Sequence, residues 1–191
     1  MLTLRQLLAP VLAAGFLCSA GAQAAPMVFT VDALTDTRVS PLNTGIALLA
    51  GDAFEVSVDP DDLWNAGALP RWSNADGLVG DLFATGSDES GEAAGTRIGR
   101  DFGPYSNGGF TAPYGALVGQ LDSAFFFIGT SFAGTAPVDG TLSLLYWDSN
   151  YADNTDAIDV TVSAGQVPIP APAALIGVGL LALGWRRRRA S

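Results

Sequence analysis

The residues best suited to chemistry lie in one run, Tyr146-Trp147-Asp148-Ser149-Asn150-Tyr151-Ala152-Asp153-Asn154-Thr155-Asp156. Asp148, Asn150, Asp153, Asn154 and Asp156 place five carboxylate or carboxamide side chains in it. Carboxylates crowded on a short loop repel one another, and water or a cation must offset that repulsion. An oxygen-only donor set, with no His or Cys, suits a hard cation such as calcium rather than a transition metal. The spacing is not that of an EF-hand. With Asp148 as position 1, Ala152 stands at 5 and Asp153 replaces the turn glycine at 6. A solvated acidic turn with Asx capping is the alternative these residues leave open.

Composition removes most other chemistries. The 191 residues include no histidine and no lysine. Ser-His-Asp and Cys-His catalysis, histidine-ligated metals, lysine Schiff bases and P-loops are therefore excluded. All 19 acidic residues fall within 25–166, together with only four of the nine arginines, so this segment carries a formal charge of −15. Such a charge repels phosphate backbones and argues against nucleic-acid binding. A glycoside hydrolase needs two carboxylates facing each other across a cleft. Glu occurs only at 55, 89 and 92, and none has a recognisable catalytic setting, so no enzyme is expected.

The elements that must position the acidic loop have period two. Ala53–Val58 sets Phe54, Val56 and Val58 against Glu55 and Ser57, and Ile158, Val160 and Val162 share one face. Residues 141–147 put Leu142, Leu144 and Tyr146 on one side, and Ser143, Leu145 and Trp147 on the other. Residues 28–31, 45–49, 116–121 and 125–128 complete the candidate strands, with Gly-Asp, Asp-Gly and Asn-Gly-Gly steps between them. About seven short strands and no long helical stripe predict an all-β fold, an antiparallel jelly-roll-like β-sandwich over 25–166. Residues 81–109, rich in Gly, Ser and acids, are expected to form a long loop. Trp147 is expected in the core.

Both ends read as addresses. Arg5, an apolar run over 7–22 and Ala22-Gln23-Ala24 describe a secretory signal peptide over 1–24, an N-terminal signal helix. The single cysteine, Cys18, lies inside it, so the mature chain would hold no disulfide. At the other end, Val167-Pro168-Ile169-Pro170-Ala171 precedes an apolar run over 173–185 and then Arg186, Arg187, Arg188 and Arg189. Thirteen helical residues reach roughly 20 Å, short of a hydrocarbon core of about 30 Å, so a transmembrane helix here anchors weakly. The arginines hold that end on the cytoplasmic side. This 167–191 segment resembles the PEP-CTERM sorting signal, in its Val-Pro-Leu-Pro-Ala variant. The resemblance implies an exosortase as processing partner and an association with exopolysaccharide. It also implies export to the cell surface, outer envelope or extracellular matrix, after transient anchoring in the inner membrane.

A second resemblance covers most of 40–163. Residues 43–56, Tyr114-Gly115-Ala116-Leu117-Val118-Gly119-Gln120-Leu121, and 140–148 through Asp153-Asn154 to Val162 are similar, in order, to the PA-I type of calcium-dependent galactose-binding lectins. Trp64-Asn65 and Asn74-Ala75-Asp76-Gly77 extend the match. That family is a jelly-roll-like sandwich in which one calcium bridges protein and sugar. The resemblance implies Asp148, Asp153 and Asn154 as calcium ligands, with main-chain carbonyls near Asn150–Ala152 and near Trp64–Ala66. Asn150 is a further candidate metal ligand. Asp148 and Asp153 would also bond the sugar, with Tyr151 and Trp64 as candidate aromatic contacts. Three departures stand out: the loop is two residues shorter, Asp153 stands where the family has the first Asn of its pair, and the family's sugar-contacting His and Gln have no counterpart.

Two functions are then expected. The first is an exported carbohydrate-binding module that uses calcium to hold a polysaccharide, with a galactose-like sugar as one option. The alternative is a non-catalytic structural surface or matrix protein in which calcium only stiffens the loop.

Overall fold

Ala53–Val58 runs exposed-buried three times over, with Phe54, Val56 and Val58 turned inward. Successive side chains of an extended chain leave on opposite faces, so apolar alternation commits one face to a core. Ala157–Ala164 buries Ile158, Val160 and Val162 for the same reason. The structure is a computed structural model and describes residues 25–165. The signal helix expected at 1–24 and the sorting helix expected at 167–191 lie outside the described residues.

In chain order the described residues form β1 (Met27–Asp32), β2 (Leu42–Leu48), β3 (Ala53–Val58), β4 (Trp64–Asn65), β5 (Trp72–Ser73), β6 (Leu82–Phe83) and β7 (Arg97–Gly99). They continue with β8 (Pro104–Asn107), β9 (Phe110–Pro113), β10 (Ala116–Leu121), β11 (Ala124–Phe127), β12 (Ser131–Thr135), β13 (Gly140–Trp147) and β14 (Ala157–Ala164). The domain is all-β, and among the described residues no helix is long and apolar enough to cross a membrane.

Two four-stranded sheets run β1-β14-β3-β12 and β11-β10-β13-β2, antiparallel at each pairing. Their inner faces share one core. Val31, Phe54, Val56, Val58, Ile158, Val160 and Val162 come from the first sheet. Ile46, Leu48, Leu117, Leu121, Leu142, Leu144 and Tyr146 come from the second. Consecutive long strands alternate between the sheets, β10 and β11 excepted, so each crossing of the chain closes the two faces onto each other.

β13 is apolar on both faces because both are covered. Leu142, Leu144 and Tyr146 enter the main core, while Leu145 and Trp147 enter a second cluster with Ala112, Ala116 and Val118. The β8–β9 hairpin roofs that cluster with Tyr105 and Phe110. Trp147 lies 5.1 Å from Phe110 and 5.7 Å from Phe125, ring to ring, and its indole N–H donates to the Tyr105 carbonyl at 3.0 Å. Trp147 is a core residue, as expected.

Two expectations need correction. Residues 81–109 are not one long loop, because they contain β6, β7 and β8. Leu82, Ala84 and Ile98 pack there with Leu63 and Trp72 in a small cluster of their own. Strands of two to four residues are too short for a period of two to repeat, so composition alone read as loop. The edge strand β12 was also not expected. Its sequence, Ser-Phe-Ala-Gly-Thr, offers one large apolar side chain, Phe132, which packs 5.0 Å from Phe54.

Candidate functional site

β13 ends at Trp147 and delivers Asp148 into a loop that returns to the sheet at Ala157. Three tethers hold this loop. Asn65 and Thr155 exchange both main-chain hydrogen bonds at 3.0 Å. The Asn154 amide N–H donates to the Ala33 carbonyl at 3.1 Å, and the main-chain N–H of Ala33 donates to Asp156 at 3.0 Å. The loop is therefore clamped between residue 33 and the β4 strand, which carries Ala66 up beside it.

Within the loop, Asp148 is 5 % exposed, and its Oδ1 accepts the main-chain N–H of Ser149 at 2.5 Å and of Asn150 at 3.4 Å. The Asn150 side-chain amide in turn donates to Asp153 Oδ1 at 2.5 Å. Asn150 thus bridges two carboxylates on one wall of a cavity of about 380 Å³. Leu78, Phe102 and Tyr114 form its apolar wall, with Ala66 and Arg71 between. Arg71 Nη1 stands 3.6 Å from Asp153 Oδ2, both side chains partly exposed.

Electrostatically the site leans towards a cation. Burial pushes the Asp148 carboxyl above its ordinary value. The Ser149 and Asn150 N–H groups and the Asn154 amide pull it back, and the neighbouring charge of Asp153 adds to the rise. The fully buried Tyr146 phenol is pushed up by burial first, then by Asp148 and Asp153. Three buried oxygens on these elements have no hydrogen-bond partner among the described residues: Tyr146 Oη, Asn65 Oδ1 and Asn154 Oδ1. Buried polar atoms left in this way take up an ordered water or an ion.

The donor set fits calcium in kind, with two carboxylates, amide oxygens and the carbonyl of Ala66 at the cavity. Among the described residues no three His, Cys, Asp or Glu side chains cluster closely enough to hold a metal. A cation here would accordingly rest on two carboxylates completed by neutral oxygens.

The structure distributes the expected site residues unevenly. Asp148, Asn150 and Asp153 line the cavity together, and Asn154 lies buried behind them. Trp64 is not a sugar platform. It is fully buried, edge-on to Tyr146 at 4.5 Å, and its indole N–H donates to the Gly115 carbonyl at 2.9 Å. Its strand contributes through Ala66 instead. Tyr151 does not line the cavity. Its hydroxyl is half-buried on the side of Arg38 and Tyr105, where burial raises its pKa and Arg38 opposes the rise. The sorting residues Val167, Pro168, Pro170 and Arg186–Arg189 lie outside the described residues.

Sequence reasoning missed Arg71, Leu78, Phe102 and Tyr114. The one available signal was Arg71, as one of only four cations in a domain of 19 acids. A second, larger depression of about 710 Å³ is lined by Asp59, Asp61, Asp62, Glu89 and Asp159.

No family model and no curated protein matches the chain. Among solved structures the chain is similar to the N-terminal domain of EclA, described as a PllA-like lectin, at 22% identity and a TM-score of 0.47. That similarity covers 72% of this chain and 94% of the other.

Proposed function

We propose that the chain is an exported, non-catalytic carbohydrate-binding module that holds a glycan through calcium, on a jelly-roll-like sandwich at the cell surface or in the extracellular matrix. The observation that carries this reading is the cavity itself. Asp148, Asn150 and Asp153 converge there beside the Ala66 main chain, with unpartnered oxygens of Asn154 and Asn65 buried behind. Asp148, Asp153, Asn150, Asn154 and the Ala66 carbonyl would hold the ion. Calcium supplies, when bound, open coordination positions that sugar hydroxyls can take from water. Asp148 and Asp153 then accept hydrogen bonds from those hydroxyls, and Tyr114, Phe102 and Leu78 offer the apolar wall a pyranose face needs. Both carboxylates belong to one loop bridged by Asn150, rather than facing each other across a cleft, which speaks for binding over hydrolysis. The tail resemblance adds an exosortase partner and an exopolysaccharide setting to this proposal.

The test is the melting temperature of the protein with EDTA, magnesium or calcium, alongside Asp148→Asn. A ligand bound only by the folded state at a hundredfold excess over Kd stabilises it by about 2.7 kcal/mol. A calcium-specific rise that the variant loses supports the site. Equal responses to both ions, or an unchanged variant, would leave a merely acidic loop on a passive matrix protein.

A further inference from the structure

The cavity holds one residue that a neutral-sugar site does not require. Arg71 is one of four cations in a domain of 19 acids, and it stands at the junction of the polar and apolar walls. Its contacts use only part of the guanidinium. Nη1 donates to the Ala66 carbonyl at a long 3.4 Å and pairs loosely with Asp153 at 3.6 Å, and among the described residues Nε and Nη2 make no hydrogen bond. A planar fork with donors to spare is the group best shaped for a carboxylate.

Phe102 supports it from below. The Arg71 guanidinium lies 5.4 Å from the Phe102 ring centroid, and Arg100 lies 4.6 Å from the same ring. Two of the four arginines of the domain therefore converge on one aromatic of the cavity lining, Arg71 within that lining and Arg100 outside it. Charge counting points the same way. With a divalent cation held by Asp148 and Asp153, Arg71 brings the site to a formal +1, which a neutral sugar leaves uncompensated and a monoanionic sugar neutralises.

We propose that the preferred ligand is a glycan containing a uronic acid, with Arg71 as the residue that reads its carboxylate; this rests on the carbohydrate-binding reading above. The ring hydroxyls are held on the Asp148–Asp153 side, and the sugar carboxylate turns to the free edge of Arg71, supported by Phe102.

The experiment compares sugars that differ only at C6. Methyl glycosides of glucuronic and galacturonic acid, and those of glucose and galactose, are titrated calorimetrically into the full chain, wild type and Arg71→Gln, in calcium and in EDTA. The melting temperature is followed in parallel. The wild type is expected to bind at least one uronide about tenfold more tightly than its neutral partner, as a charge-assisted bond contributes. Arg71→Gln should lose that preference while still binding the neutral sugars in calcium, and its calcium-dependent rise in melting temperature should grow rather than shrink, since the cation beside Asp153 is gone. Neutral sugars bound as well as uronides by the wild type, or a preference that survives in Arg71→Gln, would overturn the assignment of Arg71 and leave the module reading intact. If calcium stabilises the protein and none of the four sugars binds, both readings fall.

Discussion

The carboxylate of Asp153 occupies the space where a side chain on Gly67 would begin, in direct contact with the position of its Cβ. Gly67 also has φ +107°, a conformation that side chains disfavour. The turn after β4 is thus shaped around a ligand-candidate carboxylate that comes from a loop more than eighty residues away. Gly67→Ala should cost about 1–3 kcal/mol through backbone strain alone. Because it also displaces Asp153, it should blunt the calcium response, read as a smaller calcium-induced shift in melting temperature. A variant that is destabilised yet responds fully to calcium would show that Asp153 is not a ligand.

Asp148 sets a pH dependence with a defined sign. Its folded pKa lies above the ordinary 3.8 because burial penalises the charge. The folded state therefore holds the proton more tightly than the unfolded one. Stability is lost as pH rises from about the ordinary value through the folded pKa, and is level above that. Without calcium, Asp148→Asn should then match or exceed the wild type at neutral pH, with the gap closing below about pH 3.8. Calcium should reverse the order by favouring the carboxylate. Urea denaturation of both proteins across pH, with EDTA or calcium, reads both effects.

Tyr114, rather than Tyr151, should matter to sugar. Tyr114 lines the cavity and is stacked on Tyr105 at 5.1 Å, whereas the Tyr151 hydroxyl faces Arg38. Tyr114→Leu should weaken glycan binding about tenfold with the calcium response unchanged. Tyr151→Phe should leave both as they are. Calorimetric titration of the two variants separates them, and the opposite ranking would move the sugar to the other side of the loop.

Trp147 should be structural. It is fully buried under the β8–β9 hairpin, and Trp147→Ala should cost about 3–5 kcal/mol. Denaturant midpoints give that figure. Where the variant is still folded, its calcium-induced stabilisation should equal that of the wild type, since the indole points away from the cavity into the second cluster.

Legibility in the sequence followed the length and the apolar content of each element, so that four-residue β11, with its three phenylalanines, was readable while five-residue β12 was not. β3, β10, β13 and β14 were readable because six to eight residues give a period of two room to repeat, and β13 even declared its two buried faces. β12 and the short hairpins between β3 and β10 were not, because they pack one or two apolar side chains each. The acidic loop was readable for a different reason: five Asp and Asn side chains between two strands is a local fact.

Of the other half of the cavity only a main-chain carbonyl near Trp64–Ala66 was within reach, through the family resemblance. Arg71, Leu78, Phe102 and Tyr114 are spread over 44 positions and meet Asp148 only through tertiary contacts, with the Asn65–Thr155 pairing drawing β4 against the loop. For Trp64 the sequence left sugar contact and core packing both open, and its burial decides for the core.

By itself, then, the sequence determined an all-β domain over the described residues, its strongly acidic charge, an oxygen-only donor loop and the absence of histidine and lysine chemistry, all of which are set by composition and by neighbours along the chain. Only the tertiary structure decided which aromatic faces the cavity, which is sealed in the core, and that a guanidinium stands opposite the acids. Those outcomes depend on contacts between residues far apart in the chain, and pairing between strands, not spacing along the chain, creates them.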